Sequence, residues 1–207
     1  MTDPHAILRA GTAALHDRVE RTRLSRRVLA ADVTLADYGA FLAATWRVLS
    51  PLADALGRAE TGGEETTGLG PLVAALEADL ARLAVRPGAP LPPALGDLVD
   101  SAAGRLGALY VAEGSAMGGA VIAKHLRERL GGEAVAASRY LGRAKADAGA
   151  RWRAWKAAAA ARDWDEAEMA AALRAADAVF AAFASAYEGA EGGDATETAT
   201  AKGRAAA

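Results

Sequence analysis

His16 and Glu20 stand one helical turn apart in LRAGTAALHDRVE, the i,i+4 spacing at which side chains on a helix meet. A carboxylate behind an imidazole fixes the tautomer at one ring nitrogen and raises the basicity of the other, which is what a metal-ligating histidine requires. The same pair also suits a half-buried histidine beside a surface glutamate, with no ligand at all. Arg9 precedes His16 by seven residues, so it shares nearly the same helical face about 10.5 Å away along the axis. A cation so placed could hold a carboxylate of a ligand whose centre the imidazole holds, although most arginines of this kind are simply solvated. The other two histidines carry less. His5 sits near the terminus and reads as solvated, and His125 lies in AKHLRERL on a polar helix face.

The second signal is LYVAEGSAMGGAVIAKHL, where Gly114, Ser115, Gly118 and Gly119 put four small residues into six positions of a helical pattern. Each interior helical glycine costs about 1 kcal/mol relative to alanine, so the cluster needs a reason. Dinucleotide binding would require a strand before the glycines, and a P-loop would require Gly-Lys-Ser/Thr; neither is present. Ser115 lacks the Gly-x-Ser-x-Gly pattern of a nucleophile elbow, and the Glu-x-x-His pairs of a diiron bundle occur nowhere. Two explanations stay open: close helix–helix packing across small residues, or a kinked helix whose bare backbone approaches a flat ligand.

Helices must carry these residues. Leu8, Thr12, Leu15 and Val19 recur at helical spacing behind Asp3 and Pro4, a natural N-cap and first-turn residue. Leu35, Tyr38, Leu42, Trp46 and Leu49 mark a second helix that opens on Thr34 with Asp37, a capping-box pair, and ends near Gly57. GRAETGGEETTGLGP then reads as a surface loop, and Leu72, Leu76, Leu80 and Leu83 restart the helical pattern. RPGAPLPP is too rich in proline to stay helical. Leu95 to Leu130 is helical apart from the glycine cluster. Beyond Gly131 and Gly132, two more stretches carry Trp152 and Trp155, then Met169, Leu173, Phe180, Phe183 and Tyr187. No alternating pattern marks a strand. The expected architecture is one all-α bundle of about six to eight helices over residues 1–188, followed by a low-complexity tail, 189–207, expected to be disordered.

Composition agrees. A chain of 207 residues is long enough for one well-buried domain. Its 52% apolar share is mostly alanine and only 5% of residues are aromatic, which suits helices rather than a β-sandwich. With 24 basic against 26 acidic residues, the excess expected of a nucleic-acid binder is missing. Cysteine is absent, which excludes disulfides, thiolate catalysis and cysteine-ligated metal centres. The opening MTDPHAILRAGTAALHDRVERTR has charges every few positions and no apolar run, so a cytoplasmic protein with no membrane partner is expected.

Taken together, LRAGTAALHDRVE and LYVAEGSAMGGAVIAKHL, separated by a helical stretch that includes YGAFLAATWRVLSPL, resemble the heme oxygenase family. The likeness is strongest to its bacterial members, including those that supply bacteriophytochromes. It covers most of the chain, and the joint occurrence of the two motifs is far more specific than either alone. The resemblance implies a single-domain helical bundle with a kinked, glycine-rich distal helix. It implies His16 as the iron ligand, Glu20 as its hydrogen-bonded support, and Gly114, Gly118 and Gly119 on the helix above the heme.

Arg9 falls where the family has a basic partner for a heme propionate, and Tyr110 matches a tyrosine that bacterial relatives use near a propionate. The alternative role for Tyr110 is helix packing with its hydroxyl at the rim. Ser115 stands where animal-type members carry an aspartate that organises distal water. Bacterial relatives commonly have serine there, so the water must be held by other groups or by the backbone. Arg153 and Lys156 in RWRAWK are the candidates for the opposite heme edge; otherwise both are solvated and their stems cover Trp152 and Trp155.

The activity implied is opening of heme to biliverdin, the IXα isomer, with release of iron and carbon monoxide. Heme is then both substrate and cofactor, molecular oxygen is consumed, and electrons come from a reductase or ferredoxin. A bacteriophytochrome is a candidate acceptor of the biliverdin, and the protein is expected to act as a monomer. The rival is a heme-binding protein of the same fold that stores or transfers heme without degrading it. A thiaminase-like hydrolase of similar helical build lacks its nucleophile here, because there is no cysteine.

Overall fold

The computed structural model describes residues 3–59, 69–91 and 95–190. Most of GRAETGGEETTGLGP, Pro92 and Pro93, and the tail beyond Ala190 lie outside them. The described residues form an all-α bundle with no strand. Its first helix, α1 (Pro4–Arg21), starts as expected: Asp3 accepts the backbone N–H of His5 at 3.0 Å and Pro4 fills the first turn, where its missing donor costs nothing. A short α2 (Arg23–Arg27) follows at once, capped by Thr22. The next helix, α3 (Leu35–Ala59), opens on a reciprocal box in which Thr34 Oγ1 accepts from the Asp37 amide and Asp37 Oδ2 accepts from the Thr34 amide. It runs two residues past the expected end at Gly57 and continues through Pro51.

After α4 (Leu69–Arg82) and a 3-10 turn at Asp97–Val99 comes the longest element, α5 (Ala102–Leu130), with Ser101 as its N-cap. It stays helical across the whole of the glycine cluster. Gly131, at φ +63°, ends it, a backbone conformation that favours glycine. A short α6 (Gly132–Ala136) leads to α7 (Arg139–Ala160), and α8 (Glu166–Gly189) begins on a second reciprocal box, Asp165 with Glu168.

The α7 cap comes from elsewhere in the chain. Ser138 gives its first turn no side-chain bond, and Asp79 of α4, fully buried, accepts the amides of Arg139 at 3.0 Å and Tyr140 at 2.8 Å. Burial pushes the Asp79 carboxyl above the usual carboxylate range, against the opposing pull of those two amides. Tyr38 adds a second tie, donating to the Ala137 carbonyl at 2.7 Å.

The centre of the bundle is α5, which packs chiefly on α8 and α7. Alanines such as Ala172, Ala175 and Ala176 let α8 approach closely, and Gly107 sets the limit. A Cβ on Gly107 would stand 1.8 Å from the Ala172 carbonyl oxygen. By length and apolar composition α5 and α8 could each cross a bilayer, yet about half of each is buried in the bundle, where they pack on one another. Helix α1 lies along α8: Leu173 touches Gly11, Phe180 meets the His16 ring, and Arg18 makes a two-pronged bond to Glu188 at 3.0–3.1 Å.

Candidate active site

Between the face of α1 that carries His16 and the middle of α5 lies a cavity of about 1220 Å³, backed by α3, α7 and α8. It exceeds the roughly 300–1,000 Å³ of ordinary small-molecule sites. His5, Arg9, Thr12, His16 and Glu20 line it from α1, the spacing of a single helical stripe. From the opposite side come Tyr110, Gly114, Ser115, Gly118 and Gly119.

The His16 side chain is 56% exposed, and its ring lies edge-on to Phe180 with centroids 5.8 Å apart. Its Nδ1 is 3.8 Å from Glu20 Oε1, too far for the expected hydrogen bond and close enough only for a loose ion pair. Ligand atoms of His16, Asp17 and Glu20 lie within 4.8 Å of one another, but Asp17 is already engaged by Arg21 at 2.8 Å. Of the two imidazoles in the stripe, His16 has the Glu20 carboxylate one turn on, while His5 packs against the rings of Tyr110, Trp152 and Trp155.

Across the cavity, the two open explanations for the glycines separate. A Cβ on Gly118 would meet nothing within 4 Å, and one on Gly114 would only graze the Trp152 ring at 3.9 Å. Neither glycine is there for packing. Packing is the business of Gly107, about two turns before Gly114 and three before Gly118 on the same helix. The bare backbone at Gly114 and Gly118 therefore faces open space, which leaves room for the flat ligand of the second explanation. Ser115 spends its hydroxyl proton on the Ala112 carbonyl at 2.8 Å.

Arg9 reaches the cavity and has no ion-pair partner among the described residues. Tyr110 also lines it, its ring packed on Trp152 and Trp155 at 5.9 and 5.4 Å. Arg153 and Lys156 are exposed on α7 and do not line the cavity, so the structure does not bring them to the other candidates; Trp152, between them and α5, does line it.

Two histidines need correcting. His5 is not a solvated terminal residue: the Asp3 cap and Pro4 order the first turn, and its ring sits against Tyr110, Trp152 and Trp155 in the cavity wall. His125 is not merely part of a polar face, because its Nε2 lies 2.9 Å from the Ala30 carbonyl and ties α5 to the turn after α2.

Sequence reasoning missed the polar inner wall. Thr45 of α3, Tyr140 of α7 and Tyr187 of α8 are all buried and all line the cavity. Burial pushes the Tyr187 phenol up to about 12 and the Tyr140 phenol higher still, so both stay neutral. A buried tyrosine must place its hydroxyl somewhere, and that was the signal available in RYLG and SAYEG. Also missed was the ion pair of Glu113 with Arg151, formed just behind Gly114.

These residues fit a large flat ligand with a metal at its centre and carboxylates at one edge. An imidazole stands on one side, backbone without Cβ atoms on the other, and a cation lies further along the stripe. No curated protein matches the chain. The sequence model of the heme oxygenase family matches residues 5–188, a span that holds the His16 stripe, the glycine cluster and the inner wall. With that match over most of its length and an all-α bundle around the cavity, the chain belongs to the heme oxygenase family.

Proposed function

We propose that this chain is a heme oxygenase, cytoplasmic and monomeric, that opens heme to biliverdin with loss of iron and carbon monoxide. The observation that carries the reading is the opposition of the His16 imidazole and the Cβ-free side of Gly114 and Gly118 across one cavity. Bound heme would supply the redox-active iron at which oxygen and electrons from an external reductase or ferredoxin meet.

The protein's part is to hold and orient. His16 would hold the iron, and the cavity side of Gly114 and Gly118 would leave room beside the ligand for a small diatomic molecule. Arg9, aided by Tyr110, would anchor the propionates and so decide which edge of the ring faces the inner wall; the IXα isomer is the product we propose. The neutral phenols of the inner wall supply hydrogen bonds without a strong acid. Glu20 would tune His16 through its charge rather than through a hydrogen bond. Two biological uses suit this reaction, release of iron and supply of biliverdin to an acceptor such as a bacteriophytochrome.

Aerobic incubation with heme and ascorbate is the test. Decay of the Soret band into a biliverdin spectrum is the expected outcome. A stable Soret band would instead identify a protein that stores or transfers heme, and no Soret shift on mixing would remove heme altogether.

A further inference from the structure

Seven hydroxyl-bearing residues line the cavity, and the protons of five are already committed. Thr12 donates to the Leu8 carbonyl, Ser25 to the Val19 carbonyl, Ser115 to the Ala112 carbonyl and Thr45 to the Phe41 carbonyl, at 2.7–2.8 Å. Since the Thr45 proton is used, the 3.1 Å contact with Tyr187 must run from the Tyr187 hydroxyl to Thr45 Oγ1. That leaves Tyr110, half-exposed at the rim, and Tyr140.

Tyr140 differs from Tyr110 in burial. Only 5% of the residue is exposed, its hydroxyl makes no hydrogen bond among the described residues, and the oxygen is not sealed off from solvent, on a residue that lines the cavity. A phenol whose ring is buried while its hydroxyl keeps solvent access, in the wall of an open cavity, takes its hydrogen-bond partner from the water of that cavity. Its backbone is pinned: Asp79 holds the Tyr140 amide at 2.8 Å, which fixes where the ring enters the wall. Tyr187 and Arg151 are its ionisable neighbours, and burial keeps the phenol protonated. It can therefore donate a hydrogen bond but cannot act as a base.

We infer that Tyr140 is the positioning residue that orders water at the inner wall of the cavity, through a donated hydrogen bond, in the role that the hydroxyl of Ser115 is turned away from. The Tyr187–Thr45 pair continues the wall, with the Tyr187 oxygen left free to accept from the same water. This inference rests on heme as the ligand of the cavity.

The test uses the full chain loaded with ferric heme and reads two quantities besides turnover. The first is the dissociation constant for heme. The second is the midpoint of the spectral acid–alkaline transition of the loaded protein, which reports the hydrogen bonding of water beside the ligand. In Tyr140→Phe the heme dissociation constant is expected to stay within about twofold, while the midpoint moves by about half a pH unit or more. Should Tyr140→Phe fold poorly, 3-fluorotyrosine at position 140 acidifies the phenol without changing its shape, and the midpoint should again move.

A midpoint that is unmoved in a well-folded, heme-loaded Tyr140→Phe, or equally unmoved with fluorotyrosine, overturns the inference and leaves the proposed function standing. A wild-type chain that takes up no heme removes both.

Discussion

Arg151 Nε donates to Glu113 Oε2 across 2.7 Å, joining α7 to the residue immediately before Gly114. The Glu113 side chain is 4% exposed and Arg151 18%, and Arg151 Nη2 is buried with no partner. Such a pair fixes how far the glycine-bearing turn of α5 stands from α7, and it is costly to break from one side only.

Arg151→Met, which strands the Glu113 carboxylate, should destabilise the protein by about 3–5 kcal/mol in denaturant unfolding. The double variant Glu113→Gln with Arg151→Met should recover most of that loss. A loss in the double variant equal to the sum of the losses in Arg151→Met and Glu113→Gln alone would show that the pair is not coupled.

Removing the imidazole of His16 should abolish the spectral signature of histidine-ligated heme and with it heme turnover. Adding free imidazole to His16→Ala should restore the spectrum in part. Glu20→Gln should change heme affinity by far less than the roughly 10–100-fold seen for hydrogen-bonded partners of ligating histidines, since the 3.8 Å separation makes no such bond. Spectroscopic titration with heme measures both.

Glycines of α5 should divide into two classes. Gly118→Leu should leave the melting temperature nearly unchanged, because its side chain enters open space, yet it should block heme uptake or change the product isomers. Gly107→Ala should do the opposite, lowering stability by about 1–3 kcal/mol through its clash with Ala172 while leaving the cavity lining intact. Thermal unfolding beside heme titration separates them.

Asp79→Ala would leave two amides of the first turn of α7 without an acceptor, an expected loss of about 3 kcal/mol in urea unfolding. Because one of those amides belongs to Tyr140, the same variant should also shift the acid–alkaline midpoint of the heme-loaded protein.

Acid should weaken the join of α2 to α3. The Arg27 guanidinium, 2.7 Å away, holds the Asp37 carboxyl down at about 2. A depressed carboxyl stabilises the fold fully above its unfolded value near 3.8 and loses that contribution as pH falls towards 2. Wild type should therefore lose about 1 kcal/mol more than Asp37→Asn between pH 5 and pH 2, a figure kept small by the partly solvated setting.

Helix positions were legible wherever local chemistry decides them: Asp3 with Pro4, Thr34 with Asp37 and the apolar stripes all speak within a few residues of themselves. The His16 stripe was legible for the same reason, since a helix fixes its own face. What escaped depends on distant chain segments. The carboxylate of Asp79 reaches α7 across 60 residues, and Tyr140, Tyr187 and Thr45 converge from three helices. His5 looked frayed because the aromatic wall that receives it comes from α5 and α7. Which glycines of α5 serve packing and which serve a ligand is likewise set by what stands opposite, and no spacing within α5 encodes it.

The embrace of α1 by α8, sealed where Arg18 grips Glu188, orders events during synthesis. The helix that bears His16 leaves the ribosome well before α8, the surface on which it must dock. Chains grow at roughly 5–20 residues per second, so for some seconds the imidazole is present without its pocket. Ligand capture should therefore wait until α8 has formed, and a truncation that removes the last turns of α8 should forfeit heme uptake in a spectroscopic titration.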